Sequence, residues 1–496
     1  MTITVDEFDF EPPGKGGWMS LSDHFPGALT AEYQRLYAET CPPGMASYMA
    51  RYGVLARSLD VAYVHGHLYI APVPLAGPRE MRRQPPAAAV WLMSRMHPEF
   101  RRRNRAARHA LATRPWRAAA NAWFDDERAT WCERNERVQS IDPASLSSNQ
   151  LIDHVRACRA LAVDGYLRHF ELHGDDLLPI GLLIARCSEW SVTPATAMRA
   201  LNGASPLSAG TVQPPPWQLV TGYDLDSQAW VELSRHPATR STTDDIEPLD
   251  LRPLVPGEYH EELRHLVEDA RAAVPLRDDN GAVTGAWPMG LLRRAMLEVG
   301  RRLALDPPDL AIEMTTDELI VCLQTGRPPR SAEIAQRQSE RARRSRLDAP
   351  PTLGPEFAIP PLSALPRSLS LMGSAQLAAA YHMTSDPAGA IGIGMLPYTG
   401  RAVVVSDPAT ALNVIEPGDV VITRFTSPSW NTILSQAGAL VTTTGGLASH
   451  AAIIARELGI PAVIGDATAM TRLAYETSVT VDPIRATVSR AAFSTR

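Results

Sequence analysis

The sequence predicts an α+β multidomain protein, with a mostly α-helical N-terminal region and a smaller C-terminal domain. Three observations predict it. The chain has 496 residues, enough for two or three domains with separate cores. Apolar residues recur at helical spacing through much of residues 90–345. A proline-rich stretch at 346–370 then separates this region from residues 371–496, and it is typical of a semi-rigid linker.

Local patterns place the elements of the N-terminal region in order. The alternating segment that begins at Val61 predicts one or two short strands. Residues 90–205 are predicted to be helical, and a capping pattern lies at Ser148–Leu151. Residues 205–260 are rich in proline, threonine and aspartate, which favours loops. Amphipathic helices follow at Gly257–Leu276 and Trp287–Leu305, and a third helix begins with a threonine N-cap in TTDELIVCLQTG.

Composition excludes several classes of protein. The net charge of −6 argues against a nucleic-acid-binding protein that relies on overall charge. The five cysteines form no CxxC pair, so neither a zinc site nor a disulfide framework is predicted, and reduced cysteines suit a cytoplasmic protein. The N-terminus lacks the apolar segment of a signal peptide, and no apolar run approaches about 18 residues, so no membrane span is expected.

The segment Thr443–Gly465, TTGGLASHAAIIARELGIPAVIG, places a histidine at a predicted helix start. Ser449 is a candidate N-cap, and Gly459 is positioned to end the helix. His450 therefore lies in the first turn, where free N–H groups and the helix dipole favour a bound anion. A neutral imidazole there can act as a nucleophile, although a histidine that only caps or packs remains an equal alternative from spacing alone.

The same residues resemble the phosphohistidine signature of the phosphoenolpyruvate-utilising enzymes, a family that includes rifampin phosphotransferase. The similarity extends upstream through Glu416–Gly446 and its Thr-x-Pro-x-Trp segment. It implies a β/β/α swivelling domain over residues 371–496, in which His450 is transiently phosphorylated. The resemblance and the helix-start argument together assign phosphate-supporting roles to the residues around it: Thr444, Gly445, Gly446, Ser449 and Arg456. The position two residues before the histidine, often threonine in this family, is Ala448, so regulation through that hydroxyl is not expected here.

Residues 1–345 resemble, more diffusely, the helical substrate-binding domain of rifampin-phosphotransferase-like enzymes. Those enzymes also carry an ATP-grasp domain, which this sequence lacks, and the sequence contains no P-loop and a single lysine, Lys15. The resemblance therefore predicts that ATP and Mg²⁺ are bound by a separate ATP-grasp protein that phosphorylates His450 in trans.

The helical region offers candidate residues for the acceptor side of the reaction. His169 and His173 are four residues apart, hence on one helix face, and either histidine is a candidate base. Two histidines without a third ligand do not predict a metal site. Arg277 is a candidate phosphate clamp, Asp278 and Asp279 are candidate metal ligands or bases, and His24 is a candidate pocket residue. A charged turn and a packed structural histidine are the respective alternatives.

Three functions remain open from the sequence. The leading hypothesis is a phosphotransferase that moves a phosphoryl group from His450 to a hydroxyl of a small, fairly apolar molecule. The second is a dehydratase that phosphorylates an alcohol and then eliminates phosphate. The third is a non-catalytic phospho-carrier or scaffold.

Overall fold

A computed structural model of the protein describes residues 9–22, 25, 27–79, 85–204, 211–212, 238–239, 247–355, 359–383, 389–406, 408–426, 430–475 and 477–491. The fold is α+β, with a mostly helical N-terminal region and a mixed β-sheet in the C-terminal region.

Helices dominate the N-terminal region. In chain order they are α1 (Ala31–Tyr52), α2 (Ala87–Met96), α3 (Pro98–Thr113), α4 (Pro115–Ala122), α5 (Arg128–Gln139), α6 (Ser148–Asp176), α7 (Leu178–Glu189), α8 (Pro194–Arg199), α9 (His260–Asn280), α10 (Trp287–Arg302), α11 (Thr316–Thr325) and α12 (Ser331–Arg344). Two π-helical segments, Trp123–Glu127 and Gly281–Ala286, continue helices without a break. Short 3₁₀ turns lie at Pro143–Ser145, Arg252–Leu254, Gly257–Tyr259, Pro308–Glu313 and Leu362–Ala364.

Capping boxes fix two of the helix starts. The Ser147 side chain accepts a hydrogen bond from the Gln150 backbone N–H, and the Gln150 side chain accepts one from the Ser147 backbone N–H. Helix α6 is therefore capped one residue earlier than the sequence pattern predicts. Thr315 and Glu318 make the same reciprocal bonds at α11, which confirms the predicted threonine cap.

Two small sheets accompany these helices. The first has the order β2-β3-β1-β6, from β1 (Trp18–Ser20), β2 (Ala56–Val64), β3 (His67–Pro74) and β6 (Thr352–Leu353). The alternating segment at Val61 is therefore part of a β-hairpin, as predicted. The second sheet pairs β4 (Thr211–Val212) with β5 (Ala238–Thr239).

An unusually close approach joins α6 to the π-helical segment that follows α9. A Cβ added at Gly165 would lie 2.1 Å from the Thr284 carbonyl oxygen, so only glycine fits at this contact. This crossing lies one helical turn from His169 on α6 and one turn from Asn280 on α9. The packing of the two helices thereby brings these side chains together.

Within the described C-terminal residues, a seven-stranded sheet has the order β13-β12-β8-β9-β10-β11-β7. The strands are β7 (Ile391–Ile393), β8 (Tyr398–Val404), β9 (Val420–Thr423), β10 (Ala439–Thr442), β11 (Ala462–Ile464), β12 (Ser478–Asp482) and β13 (Thr487–Arg490). The helices are α13 (Arg367–Met383), α14 (Pro408–Val414), α15 (Asn431–Leu434), α16 (His450–Glu457) and α17 (Ala469–Arg472). The four central strands, β8, β9, β10 and β11, are parallel, so the loops after β9 and β10 leave from the same edge.

The two regions share one buried apolar cluster. Leu183 of α7 and Val274 of α9 lie in it with Leu447, Ala448 and Ala451 from the C-terminal region. Leu447 and Ala448 lie three and two residues before His450, so the loop that leads to the histidine packs in the same cluster as α9. Ala448 is 2% exposed.

The predicted linker range, residues 346–370, carries structure of its own. It contains β6, which pairs with β1 of the N-terminal sheet, and the first residues of α13. Helix α13 continues past residue 371 and packs on α7, where Gly181 approaches the Ala375 backbone closely. The described helices include none that is both long and apolar enough to cross a membrane.

Candidate active site

His450 begins α16, the helix that follows strand β10. The Ser449 side chain accepts a hydrogen bond from the Ala452 backbone N–H at 3.3 Å, so Ser449 is the N-cap, as predicted. The helix runs to Glu457, and Gly459 follows with a φ of 61°. The imidazole therefore lies where unpaired N–H groups and the helix dipole favour negative charge.

The residues before His450 shape its loop. Thr444 is bound to the end of β9, since its N–H and its hydroxyl both donate to the Arg424 carbonyl at 3.0 Å. Gly445 has a φ of 107°, and a Cβ there would lie 2.9 Å from Ser449 Oγ, so glycine is required on both grounds. The Gly446 carbonyl accepts from the Ser449 N–H at 3.0 Å. These three residues hold the capping serine, and through it the histidine, in position.

Thr426 provides a direct contact to the imidazole. Its Oγ1 lies 2.9 Å from His450 Nδ1. The contact follows from the sheet, because β9 and β10 are parallel neighbours and Thr423 is in register with Thr442. Thr426 lies three residues beyond one strand end and His450 eight residues beyond the other, at the same sheet edge.

The other ring nitrogen of His450 is buried and has no hydrogen-bond partner among the described residues. Burial is the main cause that lowers the pKa of His450 to about 3, and the positive charge of Arg277 on α9 contributes to the same shift. His450 is therefore neutral at physiological pH, with its Nδ1 held by Thr426. A neutral imidazole that carries its proton on Nδ1 has a lone pair on Nε2, and Nε2 can then act as a nucleophile.

Comparison with known proteins agrees with this geometry. Residues 415–485 match the family model described as "PEP-utilising enzyme, mobile domain". This part of the chain is a phosphohistidine-carrying mobile domain.

Curated relatives are similar to the mobile domain and its immediate surroundings. An uncharacterized phosphotransferase of Bacillus subtilis (strain 168) is 46% identical over 84 residues, which are 17% of this chain and 10% of that protein. Phosphoenolpyruvate synthase of Escherichia coli (strain K12) is 50% identical over 82 residues, 16% of this chain and 10% of that protein. Rifampicin phosphotransferase of Streptomyces sviceus is 45% identical over 104 residues, 20% of this chain and 12% of that protein. The chain thus spans about a tenth of the length of these relatives.

Polar residues of the helical region lie near the mobile domain at His450. Arg277, predicted as a phosphate clamp, is close enough to lower the pKa values of both His450 and His169. His169 Nδ1 lies 2.6 Å from Asn280 Oδ1. The His173 ring packs against the His169 ring, with centroids 4.7 Å apart, and its Nδ1 is 4.0 Å from Asp176 Oδ2. The structure therefore brings three of the predicted acceptor-side residues together.

Other predicted residues lie elsewhere. Asp279 accepts hydrogen bonds from Trp123 Nε1 and Arg128 Nε, both at 2.8 Å, so its carboxylate ties α9 to α5 and to the π-helical segment before it. The Asp278 side chain and His24 lie outside the described residues. Arg456 is 8% exposed, its Nη1 and Nη2 have no hydrogen-bond partner, and burial lowers its pKa to about 10. It lies six residues along α16, about 9 Å from the start of the helix.

Sequence reasoning missed three residues of this site: Thr426, Asp176 and Asn280. Thr426 is the threonine of the Thr-x-Pro-x-Trp segment, and its position after a buried strand was an available signal. Asp176 and Asn280 each lie at a helix end in a polar segment, and only the crossing of α6 and α9 shows that they meet. No group of three or more His, Cys, Asp or Glu side chains suited to a metal ion occurs in the described part of the chain.

Proposed function

We propose that the protein is a phosphotransferase in which Nε2 of His450 carries the phosphoryl group to a hydroxyl of a small molecule bound by the helical region. The observation that supports this most is the state of the His450 ring. Its Nδ1 is held by Thr426, its Nε2 has no partner among the described residues, and the positive charge of Arg277 in the helical region acts on the ring.

The charges around His450 favour the phosphorylated form. A phosphoryl group carries two negative charges near neutral pH. The N-terminus of α16 and the Arg277 guanidinium both provide positive potential at the place where this group would lie. Transfer of a phosphoryl group depends largely on positioning and on such electrostatic stabilisation.

The donor is proposed to be a separate ATP-grasp protein that binds ATP and Mg²⁺ and phosphorylates His450 in trans. Its support is the sequence: the one lysine, Lys15, lies in a glycine-rich stretch, and no P-loop motif is present. All five cysteines are unpaired, which suits a reducing compartment, and we propose a cytoplasmic location.

Chemical loading tests the role of His450 without the donor protein. Potassium phosphoramidate phosphorylates histidine side chains, and the full-length protein is treated with it and digested for mass spectrometry. We expect a base-stable, acid-labile phosphoryl group on His450 and none at this position in His450→Gln. The exposed His109 serves as the control for the reagent. Phosphorylation of His109 with an unmodified His450 would contradict the proposal.

A second experiment addresses the donor. Candidate ATP-grasp proteins from the same organism are purified and mixed with γ-labelled ATP and Mg²⁺, and the cognate donor should transfer label to wild type and to His109→Gln, but not to His450→Gln. Label retained by His450→Gln would assign the phosphoryl group to another residue.

A further inference from the structure

A polar cluster lies where α6 and α9 cross. It consists of His169, His173, Asp176, Arg277 and Asn280. Arg277 lies close enough to His169, Asp176 and His450 that its positive charge lowers the pKa of each. The charge of this guanidinium therefore acts on the cluster and on His450, and Val274, one turn earlier on α9, lies in the apolar cluster with Leu447 and Ala448 of the histidine loop.

Hydrogen bonds in the cluster determine which nitrogen of His169 carries the proton. The side-chain nitrogen of Asn280 lies 2.7 Å from the Leu276 carbonyl oxygen and 3.4 Å from Asp176 Oδ2. Both of these atoms accept, so this atom must be the amide NH₂ and the other must be the carbonyl oxygen. The carbonyl oxygen accepts from His169, hence the proton of His169 is on Nδ1 and a lone pair is on Nε2. No described residue makes a hydrogen bond to this Nε2.

Aromatic packing fixes the His169 ring as well. The Phe170 ring lies 5.4 Å from the His169 ring and 5.5 Å from the His173 ring, and the Tyr166 ring lies 6.1 Å from that of His169. Asn280 is fully buried, and its side-chain amide also donates to the Leu276 carbonyl at 2.7 Å. His169 is thus held in one orientation and one tautomer before any substrate binds, as preorganised catalysis requires.

We propose that His169 is the general base for the acceptor hydroxyl and that Arg277 binds the phosphoryl group between His169 and His450. This inference rests on the proposed function, in which His450 carries that group. Asn280 is a positioning residue, because it acts only through His169.

The chemical step balances as follows. The acceptor O–H bond breaks and its proton passes to Nε2 of His169. The acceptor oxygen forms a bond to phosphorus while the bond from phosphorus to Nε2 of His450 breaks, and the electron pair of that bond stays on Nε2. The step uses the His450 tautomer with its proton on Nδ1, which lies 2.9 Å from Thr426 Oγ1, and since that proton is retained His450 returns as a neutral imidazole. His169 then releases its proton to solvent.

The surrounding charges make His169 a better base when the phosphoryl group arrives. The pKa of His169 is lowered to about 3, mainly by burial and also by the nearby His173 and Arg277. Asn280 and Asp176 raise this pKa but do not offset the other effects. A phosphoryl dianion at Arg277 offsets the positive charge and raises the pKa of His169. The base is thereby strengthened only when there is a group to transfer.

The test follows loss of the phosphoryl group from chemically loaded His450. The full-length protein is loaded with phosphoramidate and mixed with water alone, methanol, phenol or benzyl alcohol as acceptor probes. Release of phosphate or of a phosphate ester is followed by ³¹P NMR. We expect His169→Ala to load normally and to transfer about 10²-fold more slowly than wild type to at least one probe. The control is His109→Ala, an exposed histidine of α3 outside this cluster, and it should transfer within a few-fold of wild type.

Chemical rescue separates a base from a structural residue. Added imidazole should restore transfer in His169→Ala, whereas sodium chloride at equal ionic strength should not. Equal transfer rates in wild type and His169→Ala with every probe, or a loss that imidazole does not restore, would overturn the assignment of His169. Failure of the wild type to load at His450 would instead contradict the proposed function.

Discussion

A change of pH from 7.5 to 5 should leave the reactivity of His450 unchanged. An imidazole with the ordinary pKa of about 6.5 goes from about 90% neutral to about 3% neutral over this range, a loss of about 30-fold in the reactive form. Burial lowers the pKa of His450 to about 3, with a further contribution from Arg277, so its ring stays neutral at both values. The same result holds if Nε2 reacts only after the mobile domain moves away. The docked form with a neutral His450 is the main population at both pH values, so the fraction of open molecules with a neutral ring does not change.

Diethyl pyrocarbonate, which reacts with neutral imidazole, provides the assay. Its rate of reaction at His450 is measured by peptide mass spectrometry at both pH values, and free N-acetylhistidine in the same tube reports the intrinsic change. Each rate is divided by the rate for a nucleophile that does not titrate in this range, which removes the pH dependence of the reagent itself. We then expect the rate at His450 to change less than two-fold and the rate for N-acetylhistidine to change about 30-fold. A parallel fall at His450 would refute the argument that burial keeps it neutral.

Three further predictions concern the loop, the hydrogen bond and the stability of the site. Thr426→Val removes the partner of His450 Nδ1, a hydrogen bond of about 1 kcal/mol, so loading by phosphoramidate should slow about five-fold, whereas Thr443→Val, whose hydroxyl donates to the Arg424 carbonyl, should load normally. Gly445→Ala places a Cβ near Ser449 Oγ at a positive φ and should lower the free energy of unfolding by about 1–3 kcal/mol in urea titrations, whereas Gly257→Ala, which meets nothing within 4 Å, should stay within about 0.5 kcal/mol of wild type. The pKa of His450 is about 3 in the folded state and about 6.5 in the unfolded state, so the unfolded state binds the proton first as pH falls. The free energy of unfolding should therefore fall by about 2 kcal/mol between pH 7 and pH 5 because of this residue. His450→Gln should remove that part of the pH dependence. An unchanged difference between the urea midpoints at the two pH values would contradict this last expectation.

Much of the histidine loop could be predicted because its determinants are local. The N-cap at Ser449, the helix start at His450 and the glycine turn at Gly445 depend on residues within a few positions of one another. The same holds for the threonine cap of α11 and the hairpin at Val61. Local hydrogen bonds and backbone conformation therefore carried these predictions.

The acceptor side was only partly predictable. Spacing on one helix face identified His169 and His173, but it could not show that Asn280 sets the tautomer of His169. Spacing favoured Asp279 equally, and the structure shows its carboxylate bound to Trp123 and Arg128. A charged residue in a polar segment has several partners available, and only the packed helices select one of them.

By itself, the sequence determined the mostly helical N-terminal region and a histidine at a capped helix start, because periodicity and capping act over one or two turns, whereas the C-terminal sheet was implied by the family resemblance. Only the tertiary structure decided that Thr426 holds that histidine, since the contact depends on parallel pairing of β9 with β10. It likewise decided that the charge of Arg277 acts on both His450 and His169, because α7, α9 and the mobile domain pack in one apolar cluster. Burial and long-range charge are properties of the packed molecule, so the pKa values on which the chemistry depends are set there.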